Sequence, residues 1–292
     1  MAPGNQLLSS YLAQMAARGV THISLDATAR QVLKLGQKRS PQAAQTRPPQ
    51  PRSPAPQPEK AAPMPVAAVA SPPMPPSFSK REELDRLAMQ AEHCERARQL
   101  GTLRDVMVFA TGSPDAEIMF IGEAPGAEEE KQREPFVGPA GQLLTRIIQA
   151  MGLRRSDVYI SNICKFRPKI DDGQNQGSKN RVPTVGEMLA CQPFIMGEIS
   201  VIKPRILICL GATAATGLGV EGTVGKLRAN VHDWRGIPLI VTYHPSYLLR
   251  REAEDGGGVT EKRLVWEDMM LAMQTIGLPI SAKQRAYFSK AR

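Results

Sequence analysis

Short apolar runs alternate along this chain with longer stretches in which apolar positions recur every three or four residues. The runs at 105–110, 118–121, 157–164, 205–210 and 238–243 are bounded by turn-forming residues and read as buried strands. Between them the helical period takes over. Leu84, Leu87, Ala91 and Cys94 share one face of a helix predicted over 81–100. Leu143, Leu144, Ile147 and Ile148 share a face of a second, which starts near Ala140 and stops at Gly152, a good left-handed terminator. Thr184 followed by Glu187 forms a capping box for a helix to about Val201. A short helix opens at ATAATG, and the last spans 260–276, turning Leu264, Met269, Met270, Leu271 and Met273 inward. Strands alternating with helices predict an α/β fold, with a mostly parallel sheet covered on both faces.

The front of the chain lacks this pattern. Residues 1–36 hold one plausible helix over 6–18 and a weaker periodic stretch over 27–35, too little to enclose a core. Residues 37–79 are dense in proline with hardly an aromatic, which predicts a disordered, extended spacer. DNA or another protein are the partners such an arm would take. The folded domain is expected over 80–280, with a basic tail over 281–292.

Charge sharpens the division. Of the net +9, residues 1–80 contribute nine Lys/Arg against two Asp/Glu, while the rest carries 28 against 26. A mobile basic arm favours a polyanion partner such as nucleic acid. No apolar run approaches the roughly 18–20 residues of a membrane span. The first residues lack a basic lead with a long apolar core, so no secretory signal is read. Cys94, Cys164, Cys191 and Cys209 are scattered, which fits a reducing cytoplasm better than a disulfide framework. A monomer is expected.

Candidate chemistry collects in residues 117–144, EIMFIGEAPGAEEEKQREPFVGPAGQLL. A buried strand breaks at Gly122 into a loop loaded with Glu123, Glu128, Glu129 and Glu130, beside the aromatic Phe136. Strand, polar loop and helix in succession build sites at the carboxyl ends of strands. The other strand ends carry SNICKFRP, LG and YHPSYLLR.

In order and separation, GEAPG, PFVGPAGQLL, NRVP and TYHPSYLLR resemble the uracil-DNA glycosylase superfamily, most closely its family 4 branch, from about residue 100 to 250. The resemblance implies a three-layer α/β/α sandwich around a four-stranded, mainly parallel sheet. It also implies hydrolysis of the N-glycosidic bond of uracil in DNA, with the base flipped into a pocket. By this resemblance Phe136 stacks on uracil, Asn162 reads its edge, and Gly122, Ala124 and Asn180 complete the pocket. His244 faces the charge developing on O2. Glu123 is the first candidate to position water or the cationic sugar, and Glu129 the second. Glu128 and Glu130 read as solvated charges. Gly138, Gln142, Arg181, Ser246 and Arg250 are candidate DNA contacts, and Leu248 falls where the family's wedge enters the duplex. The alternative is a non-catalytic module that binds uracil-containing or single-stranded DNA.

One departure stands out. Family 4 members typically hold an iron–sulfur cluster on four cysteines, and the matching positions here are Glu95, Arg98, Phe166 and Cys191. Cys191 and, one residue out of step, Cys94 are the only remnants, so no metal site and no cofactor are expected. The loop 170–179 is also longer than the family spacing, and it contains no histidine.

Overall fold

A computed structural model describes residues 78–255 and 257–288. The helix expected over 6–18, the periodic stretch over 27–35 and residues 37–77 of the expected spacer, like residues 289–292 of the basic tail, lie outside the described residues.

Helix α1 (Lys80–Glu92) and the short α2 (Glu95–Gln99) replace the single helix expected over 81–100. The break falls at His93 and Cys94, where Cys94 adopts extended backbone as the cap of α2. Strands β1 (Leu103–Met107), β2 (Ala110–Gly112) and β3 (Ile118–Gly122) follow, then α3 (Ala127–Gln132) and α4 (Pro139–Ala150). Next come β4 (Tyr159–Asn162), β5 (Phe166–Pro168), the long α5 (Val185–Ile202) and β6 (Ile206–Leu210). After α6 (Ala212–Gly217) and α7 (Val224–Leu227), β7 (His232–Trp234) turns into β8 (Ile237–Thr242). The chain ends in α8 (Pro245–Asp255), α9 (Val259–Thr275) and α10 (Ala282–Arg285).

The main sheet runs β2-β4-β3-β6-β8-β7. Its centre, β4-β3-β6-β8, is parallel and is the expected four-stranded core. The antiparallel β2 and β7 add an edge on each side, while β1 and β5 form a separate antiparallel ribbon. Alternation assigns the faces. Met119, Ile121, Leu207, Cys209, Leu239 and Val241 pack with α1, α2, α5 and α6. Ile118, Phe120, Ile206, Ile208, Leu210 and Ile240 pack with α4, α8 and α9. Both faces are covered, which is why the central strands are apolar end to end.

Helix α5 is, among the described residues, the one helix long and apolar enough to cross a membrane by length and composition, and half of it is buried inside the protein. The predicted capping box opens it: Thr184 Oγ1 accepts from Glu187 N–H, and Glu187 accepts from Thr184 N–H. Glu187 also receives two hydrogen bonds from Arg181, at 2.6 and 2.8 Å, and one from Thr102 at 2.5 Å. This knot ties the start of α5 to the end of the loop before it and to the lead of β1. Burial would raise the Glu187 carboxyl, but these bonds outweigh it and hold the group at about 2.

A carboxyl depressed in the folded state stabilises the fold above its ordinary value of 4.5, and that contribution is lost as pH falls toward 2. Urea titrations of Glu187→Gln should therefore show a weaker loss of stability across this window than the native chain. Arg181→Ala should destabilise at pH 7 by about 3 kcal/mol, because it strands a buried carboxylate.

Candidate active site

A cleft of about 460 Å³ opens at the carboxyl ends of β3, β4 and β8. Glu123, Ala124, Pro125 and Gly126 line it from the loop after β3. Phe136 and Ala140 enter from the lead of α4, Asn162 from the end of β4, and Asn180, Arg181 and Val182 from the lead of α5. His244, Ser246 and Arg250 close it from the end of β8 and from α8.

Close approach shapes its floor. A Cβ on Gly122 would lie 2.3 Å from Asn162 Oδ1 and 2.5 Å from the Phe136 ring, so only glycine lets these three meet. Phe136 itself sits in left-handed backbone, φ 57°, an uncommon state for an aromatic. Glu129 holds that turn, because its Oε1 accepts from the N–H groups of Val137, at 3.1 Å, and Gly138, at 2.9 Å. Gly141 admits it, since a Cβ there would fall 1.8 Å from the Phe136 carbonyl oxygen. The pattern of apolar positions gave no sign of the role of Gly141.

Asn162 is buried, and its Oδ1 has no hydrogen-bond partner among the described residues. An unpaired buried acceptor facing a cleft is poised for a donor on a ligand. Across from it, the Phe136 and His244 rings lie 5.6 Å apart, tilted by 33°. His244 Nδ1 is 3.1 Å from Ser246 N–H and 2.8 Å from Ser246 Oγ. A backbone N–H can only donate, so Nδ1 accepts and the proton of the neutral ring sits on Nε2. Burial, reinforced by the charge of Arg250, pushes His244 down to about 4. The ring is thus a neutral Nε2–H donor at physiological pH. Its strand is anchored where Thr242 donates to the buried Asp268, at 2.7 Å, which also receives Arg228. Glu123 is half-buried; burial raises its carboxyl, opposed by a hydrogen bond from Thr213 and the charge of Arg250.

Several sequence-based roles are corrected by these contacts. Arg181 lines the cleft, but its hydrogen bonds are spent within the protein: Glu187 and the carbonyls of Thr102, Lys169 and Val182 take all five of its N–H groups. Leu248 is 1% exposed in the core. The HPS segment continues directly into α8, whose period turns this side chain inward, so it cannot act as the wedge. Glu129 lines the cleft and uses Oε1 to hold the Phe136 loop, Gly138 N–H is taken by Glu129, and Ser246 lines the cleft while orienting His244. Glu130 is not a solvated charge; it is buried between Arg104, at 2.6 Å, and Arg167, at 3.3 Å. Glu128 is the exposed member and pairs with Lys131. Gln142 is exposed on the first turn of α4, outside the residues that line the cleft. Asn180 does join the cleft, held through Oδ1 by Arg167 Nε at 2.9 Å.

The residues at the family's cluster position do not fit an iron–sulfur group. Phe166 is 2% exposed and packs in the core with Cys164, Cys191 and Ala190. Cys94 Sγ reaches only the Ala190 carbonyl, at 3.9 Å. Among the described residues no three His, Cys, Asp or Glu side chains are placed to hold a metal.

The profile of the uracil DNA glycosylase superfamily matches residues 109–270. The chain belongs to the uracil-DNA glycosylase superfamily. Among its relatives it is 38% identical over 202 residues to a type-4 uracil-DNA glycosylase of Thermotoga maritima, covering 68% of this chain and 97% of that protein. A type-4 uracil-DNA glycosylase of Saccharolobus solfataricus is 38% identical over 178 residues, 58% of this chain and 78% of that protein. A type-5 uracil-DNA glycosylase of Pyrobaculum aerophilum stands further off, 28% identical over 179 residues, 50% of this chain and 75% of that protein. The type-4 relatives place this member of the superfamily in family 4.

The imidazole can be checked directly. Nitrogen-15 NMR of His244 should report an Nε2–H tautomer from pH 8 down to about 4. The unfolded chain takes up this proton near 6.5 and the folded chain only near 4. Stability should therefore fall with pH across that interval, and His244→Gln should remove this component.

Proposed function

We propose that this protein, a cytoplasmic monomer working without a metal cluster, hydrolyses the N-glycosidic bond of uracil in DNA and leaves an abasic site for base-excision repair. The observation that carries the reading is the buried, unpartnered Oδ1 of Asn162 in a cleft floored by Phe136. Uracil offers a donor at N3 and an acceptor at O4, and an amide can meet both. Cytosine has an acceptor at N3, which would oppose Oδ1. Phe136 supplies the face on which the flipped base stacks, and Asn180 supports the wall beside it.

Leaving uracil carries its charge on O2, and a neutral Nε2–H donor on His244 meets that charge as it develops. An imidazole kept neutral at neutral pH hydrogen-bonds the leaving group and does not protonate it fully. Glu123, a carboxylate in a half-buried site, accepts from the attacking water and faces the sugar as it becomes cationic. Arg250, exposed at the rim, offers a phosphate contact. None of these groups would be a ligand of a cluster, so chemistry at the cleft does not depend on one. Phe166 fills the space by packing instead.

Excision from a labelled uracil oligonucleotide tests this reading. The native chain should produce alkali-sensitive sites; Glu123→Ala and His244→Ala should each lower the rate by about a hundredfold or more. Glu123 must be ionised, and burial raises its carboxyl above the ordinary 4.5. The rate should therefore fall on the acid side at a pH above 4.5, and Glu123→Ala should lose that limb. DNA binding without excision by the native chain would overturn the enzyme and leave a uracil-binding module. Iron in the active protein would overturn the cluster-free part.

A further inference from the structure

Behind Asn162 lies a buried ion pair that the proposed chemistry does not use. Lys165 and Glu198 are both completely buried, with Nζ 2.5 Å from Oε1. The ammonium also donates to Ser161 Oγ, at 2.7 Å, and to the Asn162 carbonyl, at 2.9 Å. Two of its N–H groups thus have oxygen acceptors, the charge is met by Glu198, and the Phe109 ring lies 5.2 Å away. Glu198 is less well served: neither oxygen receives a well-aligned hydrogen bond among the described residues. Burial pushes its carboxyl up, against the pull of Lys165.

Such a pair is a poor stabiliser. The attraction seldom recovers the cost of removing two charges from water, and apolar residues of similar volume often do as well or better. Stability therefore does not explain its presence, whereas its position does. Strand β4 ends at Asn162, and the next two residues tie the chain to the cleft loop: Ile163 N–H donates to Gly122 O at 2.9 Å, and Cys164 N–H to Glu123 O at 3.0 Å. The carbonyl of Asn162 itself is held by Lys165, whose charge is in turn held by Glu198 on α5. Ser161, the second acceptor, reaches the Phe109 carbonyl beside β2 at 3.3 Å. One ammonium thus fixes the last two residues of β4 against α5 and the sheet edge.

We propose that Lys165, held by Glu198, is a positioning residue for base recognition: it fixes the terminal peptide of β4 so that the Asn162 amide meets the uracil edge without rearrangement. The inference rests on the reading of Asn162 as the base reader. A misplacement of about 1 Å at such a contact costs on the order of a hundredfold in rate.

A double-mutant cycle on the full chain tests it. Single-turnover excision and Tm are measured for the native protein, Lys165→Met/Glu198→Leu, Asn162→Ala, and the triple variant. The apolar pair should keep Tm within a few degrees and slow excision by about tenfold or more. In the Asn162→Ala background the same replacement should change the rate by less than about twofold, because the contact it served is gone. Equal losses in both backgrounds, or no loss in the native one, would overturn the positioning role alone. Full activity in Asn162→Ala would overturn the base-reading role of Asn162, and this proposal with it. Should the apolar pair fail to fold, Glu198→Gln carries the same cycle, since it keeps the volume and an acceptor but removes the countercharge.

Discussion

A missing side chain sets the spacing on which the cleft depends. At Gly122, β3 comes so near the Asn162 amide and the Phe136 ring that a single methyl would overlap both. The ring can lie there only because Phe136 accepts left-handed backbone, Gly141 lets its carbonyl crowd α4, and Glu129 grips the following two N–H groups. These contacts are interdependent. Each holds a conformation that would relax if the others were removed, which is how locally unfavourable backbone persists at functional sites.

Charge in the cleft is arranged with similar economy. His244 is kept neutral by burial and by the neighbouring guanidinium of Arg250, while its tautomer is set by the backbone of Ser246. The same guanidinium favours ionised Glu123 against the burial that opposes it. One exposed arginine therefore lowers both groups, which leaves the base neutral and the acid ionised, and both effects suit the proposed roles.

The architecture was legible because its cause is local. Four parallel strands buried on both faces must be apolar runs, and the capping box at Thr184 lies within four residues. The edge strands β2 and β7 have three residues each, too few to show a period. At the site, Glu123, Ala124, Phe136, Asn162, Asn180 and His244 stand out in the sequence, and all six line one cleft. The departures fall where the deciding partner is distant or where a helix went unpredicted, as over 245–255. Arg181 looked like a phosphate contact until Thr102, 79 residues away, shared it with Glu187. Leu248 looked free until α8 turned it into the core. Lys165 and Glu198 are ordinary surface types, and nothing in their spacing announces that they are buried together.

Helix α3 is less than two turns long, yet two consecutive carboxylates on it hold two separate segments that line the cleft. Glu129 holds the loop of Phe136; Glu130 holds Arg167, and through it Asn180. One short helix thus ties the loop of Phe136 and the lead of α5 to the same few backbone turns. Under the proposed function the cost of unstacking the base falls on the DNA, and unstacking costs least where a base is already unpaired.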